Sequence, residues 1–238
     1  MKIEIIKKIK IIVTNVTDII EIIKSRRTIK SFNPTGVPWE SVAKILDAGR
    51  HAPSCGNLQN WKFIVILEPE LKTKLAEAAQ EQLNLAMAGV LIIVCAEPDK
   101  AERYFGVRGE RLFTVQNCAA AVENMLLEAH SLNLGSCWVG AFNEDEVREI
   151  CGIPAEARPQ AIVAVGYSKE VPNKPPKFPL ETVVYFNKWR NKMRDPAKYA
   201  ENYAAIMARK AASAKEKFDK FKENVVDIVG SVGKKNQK

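Results

Sequence analysis

The chain has 238 residues, 47% of them hydrophobic and 27% charged, a balance typical of a globular protein in water. No apolar stretch approaches the roughly 20 residues that a helix needs to cross a bilayer, so the composition excludes a helical membrane protein. The formal net charge is +8, but between Asn187 and Lys238 there are 14 Lys and Arg against 6 Asp and Glu. The basic excess therefore lies in the tail, and the near-neutral body is not expected to bind nucleic acid through its charge.

The cysteines and histidines bear on metal binding and on compartment. Five cysteines without a Cys-x-x-Cys pair, together with two histidines, form no metal-ligand pattern, so no metal site is expected. Free thiols of this kind are typical of the reducing cytoplasm. The Ile-rich N-terminus is interrupted by lysines, and no small-residue cleavage site follows it. We therefore expect no signal peptide and a cytoplasmic protein.

The first elements are helical. Residues 1–16 are predicted to be a helical extension, since Ile recurs there at near-helical spacing. Asp18, with Glu21 three residues later, is typical of a capping box and starts a helix that runs through Lys24. The apolar face of this helix carries Ile19, Ile20, Ile22 and Ile23.

Apolar runs predict four strands, and periodic runs predict four further helices. The predicted strands are Phe63–Leu67, Val90–Ala96, Ser136–Val139 and Ala161–Gly166. The predicted helices are Trp39–Gly49, one that starts at Glu68, Arg111–Asn133 with Gly135 as its C-cap, and Glu144–Cys151. The charged stretch between Asp99 and Arg111 fits neither pattern.

Two polar segments interrupt this alternation. Ser25–Phe32 places three cations and three hydroxyls within eight residues at the end of a helix. Such groups suit a phosphate monoester, although a solvated basic helix end would use the same residues. His51–Phe63 concentrates short polar side chains between a helix and a strand, where they either form an ordinary turn or bind a ligand.

Together the two segments resemble the signatures of the FMN-dependent nitroreductase family. The first signature is Arg-Arg-Ser-x-Arg/Lys-x-Phe, which residues 26–32 follow with Thr28 in place of Ser. The second is Ala-Pro-Ser-x-x-Asn-x-Gln-Pro-Trp, which residues 52–61 follow with Asn60 in place of Pro, a change expected only to loosen the turn. The resemblance extends from about Asp18 to Trp189 and leaves out the tail.

The resemblance implies an α+β fold, a three-layer sandwich in which helices cover a mixed or antiparallel sheet, followed by a C-terminal helical extension. It also implies a homodimer with flavin at the interface, in which Val183–Phe186 could add a strand to the partner's sheet. The expected parts are an N-terminal extension at 1–16, an FMN-binding domain at 17–189 and a basic helical tail at 190–238.

The resemblance assigns roles to individual residues as well. The phosphate and ribityl group would be held by four cations, with Lys174 as a weaker candidate: Arg26, Arg27, Lys30 and Lys177. Hydrogen bonds to the ribityl group and ring would come from Thr28, Ser54, Asn57 and Gln59, with Pro53 in the same turn. The segment along the flavin ring would be Cys137, Trp138, Val139, Gly140 and Ala141, the last two offering backbone amides to the N5/O4 edge.

The implied function is FMN-dependent reduction of electron-poor small molecules, such as nitroaromatics or quinones, with NADH or NADPH as a transient reductant. No Gly-x-Gly-x-x-Gly motif is present to hold a resident dinucleotide. The flavin supplies the chemistry, so no catalytic side chain is assigned. The alternatives are a non-catalytic flavin-binding or redox-sensing protein, a flavin-dependent dehalogenase or dehydrogenase of a specific metabolite, and a scaffold led by its tail.

The tail is predicted to be one amphipathic helix from about Asp195 to Gly230. Apolar residues recur there at alternating steps of four and three, which is a heptad-like seam. We expect this helix to pack along its own dimer, with a two-stranded coil as the alternative. A membrane or nucleic-acid contact through its lysines is not expected.

Overall fold

The computed structural model describes residues 18–192 together with Ala212, Ser213 and Lys215. By contacts the chain divides into two compact units, with the boundary between Lys174 and Pro175. None of the helices in the described part is long and apolar enough to cross a membrane. The N-terminal extension and almost all of the tail helix, including its heptad-like seam, lie outside the described residues, so those predictions stay open.

The centre of the first unit is a four-stranded sheet in the order β1-β2-β4-β3, with every neighbouring pair antiparallel. The strands are β1 (Trp61–Ile66), β2 (Val90–Ala96), β3 (Gly135–Val139) and β4 (Arg158–Gly166). The predicted first strand is thus displaced, because it begins at Trp61 and ends before Leu67, which is exposed. The two edges of the sheet are β1 and β3.

Both faces of the sheet are covered. In β2, Leu91, Ile93 and Cys95 belong to one apolar cluster, and Val90, Ile92, Val94 and Ala96 belong to the other. This alternation follows from the pleat, which points successive side chains to opposite faces. Because both faces are buried, β2 is a continuous apolar run, and its burial explains why the sequence identifies it so clearly.

In the described part of the chain, two helices lie on each face. Helices α2 (Trp39–Arg50) and α5 (Thr114–Ser131) contribute Val42, Ile45, Val122 and Met125 to one cluster. Helices α3 (Pro69–Ala78) and α6 (Glu144–Cys151) contribute Leu75 and Val147 to the other. The predicted three-layer α+β sandwich is therefore confirmed.

The charged stretch that the sequence left unassigned is helical. It forms α4 (Pro98–Arg108), followed by a π-helical turn, Gly109–Phe113, that leads into α5. The first three residues of the predicted helix Arg111–Asn133 therefore belong to the π-helical turn, and the α-helix itself is shorter than predicted, from Thr114 to Ser131. A side chain at Gly109 would lie 2.2 Å from the Ala101 carbonyl oxygen, so the close approach of α4 to this turn requires glycine.

The segment that leads from α5 into β3 corrects another expectation. Gly135 is not the C-cap of α5 but the first residue of β3, and Asn133 takes the left-handed conformation, with φ of 60°. Asparagine tolerates this conformation better than most residues. Gly135 is needed for a different reason, since an added Cβ would lie 2.8 Å from the Ile29 side chain.

The first helix, α1 (Ile19–Ser25), begins as predicted, with the Asp18 carboxylate accepting a hydrogen bond from the Ile20 amide at 3.1 Å. Its isoleucines are not buried in the single chain, and Ile19 is 66% exposed. In the second unit, α7 (Leu180–Val183) is a single turn, followed by an edge-to-face pair of Tyr185 and Trp189. Val183 is therefore the last residue of a helix. The addition of Val183–Phe186 as a strand to a partner's sheet remains a prediction.

Candidate functional site

The basic segment, residues 26–32 after α1, lies along the outer edge of β3. The Ile29 amide donates to the Ser136 carbonyl at 2.9 Å, and Thr28 pairs with Ser136 as a parallel bridge. Further along, the Asn33 amide donates to the Tyr167 carbonyl at 2.8 Å. These backbone bonds hold the segment extended, so it acts as a short additional strand at the edge of the sheet.

The four polar residues of this segment that were predicted to bind a ligand, Arg26, Arg27, Thr28 and Lys30, differ in burial and in hydrogen bonding. Ile29 is buried beneath the chain, while Thr28 and Lys30 on either side of it are exposed and Arg26 is half-buried. Arg27 has a further role, because its Nη1 donates to three carbonyls at the end of α1, those of Lys24, Ser25 and Arg26, at 2.8–2.9 Å. Arg27 is half-buried like Arg26 and has further guanidinium N–H groups, so Arg26, Arg27, Thr28 and Lys30 all remain candidates for contact with a ligand.

The cations produce a positive field that reaches β3 and α5. Burial raises the pKa of the Cys137 thiol, and Lys30 and Arg26 act against that rise. The pKa of His130 is lowered, first by burial and then by Arg26 and Arg27. An anion bound here would meet several positive charges from one short segment, at the side of the sheet where β3 begins.

A cavity of about 200 Å³ lies between the end of α1, the end of α5 and the start of β3. Its polar lining includes Ser25, Arg26, His130 and Ser136. His130 Nε2 lies 2.7 Å from Ser25 Oγ, and the serine can donate its own proton to the Glu21 carbonyl at 2.6 Å, which fits an Nε2-protonated ring. Thr28 and Lys30 lie outside the cavity lining.

Ser136 is a buried polar residue of this cavity, at the start of β3. It is 1% exposed, and its hydroxyl is the buried side-chain polar atom without a hydrogen-bond partner among the described residues. Leaving such a group unpaired is costly, so a bound polar molecule is the natural partner. Sequence reasoning named Ser25 only as one hydroxyl of the basic segment and gave no role to His130 or Ser136, because no local pattern shows that the ends of α1 and α5 meet.

The polar loop before β1 is tightly folded. Cys55–Asn57 forms a 3₁₀ turn, and Ser54 Oγ accepts a hydrogen bond from the Gln59 amide at 3.0 Å. Gly56, Asn57 and Gln59 have φ of 53°, 56° and 48°. Pro53, Asn57 and Gln59 are exposed, so the predicted polar side chains remain accessible.

The residue after Gln59 behaves differently from the expectation. Asn60, expected only to loosen the turn, is 0% exposed and hydrogen-bonded to α5 and to the chain at Glu97. The phenyl ring of Phe105 also covers the loop, since a Cβ added at Gly56 would meet it at 3.2 Å. The hydrogen bonds of Asn60 therefore hold the base of the loop, and the Phe105 ring covers its outer side.

The predicted flavin-ring segment splits into two groups. Cys137 and Val139 point into the core and are 4% exposed, whereas Trp138 is 41% exposed and Gly140 and Ala141 are also exposed. Because β3 is an edge strand, this face and this edge are accessible beyond the pairing at Ser136. Trp138, Gly140 and Ala141 are therefore exposed to a ligand at the surface, and the part of Cys137 and Val139 in the site stays a prediction.

The structure does not bring the two signature segments together in one chain. The polar loop precedes β1, whereas the basic segment lies outside β3, at the opposite edge. Four spacings of about 4.8 Å separate them across the sheet, roughly 19 Å. Across the paired strands, Trp61 is level with Arg158 of β4, whereas Ser136 is level with Val165 of β4. These two positions on β4 are seven residues apart, which adds about 23 Å along the strand direction.

The lysines beyond β4 are exposed. Lys174 is the last residue of the first unit, and Lys177 lies in the second unit, so their predicted part in phosphate binding stays a prediction. No cluster of metal-ligating side chains exists among residues 18–192 and the three described tail positions.

The chain is similar to known proteins in sequence and in fold. A model of the nitroreductase family matches residues 23–88 and 82–167. A protein of Archaeoglobus fulgidus, provisionally named NADH dehydrogenase/NAD(P)H nitroreductase, is 36% identical over 155 residues, covering 63% of this chain and 86% of its own. The FMN reductase (NADPH) of Bacillus subtilis is 27% identical over 181 residues, covering 71% of this chain and 73% of its own.

Among solved structures, an FMN-dependent nitroreductase of Clostridium difficile superposes with a TM-score of 0.63 at 26% identity. The match covers 71% of this chain and 99% of the other. The likeness therefore extends over the whole of the other molecule.

Proposed function

The chain belongs to the nitroreductase family, and on that basis we propose that it is an enzyme that binds FMN and uses NADH or NADPH to reduce electron-poor small molecules. The observation that supports this most is the accessible row of Arg26, Thr28 and Lys30 beside the edge of β3. Relatives named FMN reductase (NADPH) and FMN-dependent nitroreductase support the choice of cofactor and reductant.

The residues at the edge of β3 fit the anionic end of FMN. Arg26 and Lys30 supply positive charge, and Thr28 supplies a hydroxyl. The unpaired hydroxyl of Ser136 lies in the adjoining cavity, where a polar group of the ligand would satisfy it. Lys174 and Lys177 are further candidates for the phosphate, and as lysines they would act as point charges.

The ring end of FMN would lie further along β3. Trp138 offers an exposed aromatic side chain, and Gly140 and Ala141 offer backbone near the end of the strand. The glycine has nothing within 4 Å of its Cβ position, so a ligand can approach the backbone closely there. Backbone N–H dipoles aimed at the ring would stabilise negative charge on it without reorganising.

A second copy of the chain would complete each site. The polar loop carries the remaining signature side chains, Ser54, Asn57 and Gln59, yet it lies at the far corner of the sheet. A two-fold axis would place the loop of one protomer against the basic segment of the other, and would create two equivalent sites. We therefore propose a homodimer with FMN at the interface.

Bound FMN would supply the chemistry, accepting hydride from NADH or NADPH and passing reducing equivalents to the acceptor. The protein's own groups would hold the anionic end and fix the ring edge. No acid, base or nucleophile of this chain is assigned a catalytic role. Nitroaromatics, quinones and similar electron-poor compounds are the proposed acceptors.

An absorption spectrum tests this function. After incubation with FMN and gel filtration, the protein should keep the visible bands of oxidised flavin, and Arg26→Ala should weaken FMN binding by roughly tenfold or more, because a charge-assisted hydrogen bond is lost. Arg50→Ala is the matched control, since Arg50 is exposed on α2 and pairs with Asp47.

A protein that stays colourless under these conditions would refute the proposal. A coloured protein that fails to oxidise NADH or NADPH in the presence of a quinone would instead be a non-catalytic flavin-binding protein.

A further inference from the structure

We propose that Asn117 and Asn60 form a buried amide clamp that holds the polar loop 54–59 in the shape that binds FMN, so that Asn117 is a positioning residue of the cofactor site. This inference rests on the proposed function. It adds a residue from α5 that belongs to neither signature and touches no accessible part of the site.

The clamp joins both ends of the loop to one side chain. Asn117 Oδ1 accepts a hydrogen bond from the Cys55 amide at 2.9 Å, at the start of the loop. Asn117 Nδ2 donates to Asn60 Oδ1 at 2.7 Å, at the end of the loop, and to Cys55 Sγ at 3.3 Å. The residues between these anchors include Asn57 and Gln59, whose side chains are exposed.

The clamp is buried and its hydrogen bonds are complete. Asn60, Asn117 and Thr114 are 0%, 4% and 1% exposed. Asn60 Nδ2 donates to Thr114 Oγ1 at 3.0 Å and to the Glu97 carbonyl at 3.2 Å. Thr114 in turn donates to the Gly109 carbonyl at 3.0 Å. A polar network in which each member has a partner stiffens the segments that it joins.

The π-helical turn explains why two residues of α5 reach Asn60. Thr114 and Asn117 are three positions apart and so lie on the same face of the helix. The Gly109 carbonyl, which accepts from Thr114, belongs to the π-helical turn before α5. This turn therefore sets the point at which the first residues of α5 face the base of the loop.

The loop needs such a clamp because its backbone is unfavourable by itself. Asn57 and Gln59 carry side chains and yet have φ of 56° and 48°, next to Gly56 at 53°. Asparagine tolerates this conformation, but at Gln59 it persists only when the surrounding structure enforces it. Without the clamp we expect the loop to relax, and Asn57 and Gln59 would then no longer be held ready for the cofactor.

Asn60 is the position at which this chain departs from the second signature. The related signature has Pro at this position, and proline has no side-chain amide with which to bind Asn117. The departure from the signature thus installs the central residue of the network in place of a rigid ring.

The test compares Asn117→Ala with Asn124→Ala. Asn124 lies on the same helix and donates to the Ala48 carbonyl at 3.1 Å, away from the loop, so it reports the loss of a half-buried amide as such. We expect Asn117→Ala to raise the Kd for FMN by roughly tenfold and to alter the visible circular dichroism of bound flavin, since preorganisation of the loop is lost. Asn124→Ala should change neither.

A second variant covers the case in which Asn117→Ala does not fold. Asn60→Ala removes the same hydrogen bond from the other side, and if both single variants fold, the double variant should weaken FMN binding by less than the product of the two single effects. If the wild type binds FMN and either Asn117→Ala or Asn60→Ala binds it with an unchanged Kd, the proposed clamp is wrong.

Hydrogen exchange separates this inference from the proposed function. In the FMN-free wild type, the amides of Cys55 and Gln59 should exchange slowly, and Asn117→Ala should speed both. If the wild type shows this protection but binds no FMN, the proposed function fails while the clamp stands as a structural feature without the cofactor role. If exchange at the two amides is the same in wild type and variant, the clamp itself is wrong.

Discussion

Neighbouring residues of the basic segment perform different tasks. Arg26 and Arg27 are both half-buried beside the cavity, and Arg27 also directs Nη1 to the carbonyls that end α1. A cation at a helix C-terminus stabilises the helix by interacting with carbonyls that lack intrahelical partners. Within two adjacent arginines, the signature thus combines helix termination with the proposed binding of a ligand.

The environment of His130 leads to a pH dependence. Burial, and then Arg26 and Arg27, lower its pKa below the ordinary 6.5. As the pH falls through that ordinary value, the unfolded chain takes up the proton before the folded one, so folded stability decreases. We expect His130→Gln to lose less stability than the wild type between about pH 7.5 and pH 5.5.

Urea unfolding at several pH values measures this effect, and a chemical-shift titration of the imidazole gives the pKa directly. If the wild type and the variant lose the same stability as the pH falls, groups other than His130 cause that loss.

At the scale of elements, the packing of the basic segment on β3 depends on a glycine. A Cβ at Gly135 would lie 2.8–2.9 Å from Cγ1, Cβ and Cγ2 of Ile29, atoms close to the backbone that cannot swing away. We expect Gly135→Ala to push the segment from β3, at a cost of about 1–3 kcal/mol in the free energy of unfolding. FMN affinity should fall as well, because Thr28 bridges to Ser136 at this point.

Gly36→Ala is the control for this substitution, since nothing lies within 4 Å of its Cβ position. Thermal unfolding and FMN titration of both variants check the expectation. If Gly135→Ala retains wild-type stability, the segment is more loosely held than its buried Ile29 implies.

The sequence identified elements best where burial is complete. The runs in β2 and β4 and the periodic face of α5 were predicted because hydrophobic spacing directly reflects which side meets the core. The predictions were wrong at boundaries. The start of α5 follows a π-helical turn, and that turn depends on the contact between Gly109 and α4.

At the scale of the whole molecule, the distance between the two signature segments makes a composite site testable. If each site takes its basic segment from one protomer and its polar loop from the other, then Arg26→Ala and Gln59→Ala chains refolded together should form heterodimers with one intact site each. Random pairing would restore about a quarter of all sites. FMN bound per chain, measured after mixing, gives the result.

Two variants that bind no more FMN after mixing than the average of each alone would place both segments in one protomer's site. A mixture of differently tagged wild-type chains checks that subunits exchange under the refolding conditions. The exposed isoleucines of α1, of which Ile19 is 66% exposed, are consistent with surface that a partner covers.

The sequence by itself indicated the family through two short motifs, and that resemblance implied the α+β class and the candidate residues for a phosphate and a ring, while hydrophobic periodicity located the buried helices and strands. Only the tertiary structure placed the two motifs at opposite corners of the sheet and buried Asn60 against Asn117, 57 residues away. It alone joined Ser25 to His130, 105 residues apart. Contacts of that kind depend on how helices and strands pack across the chain, and no local pattern records them.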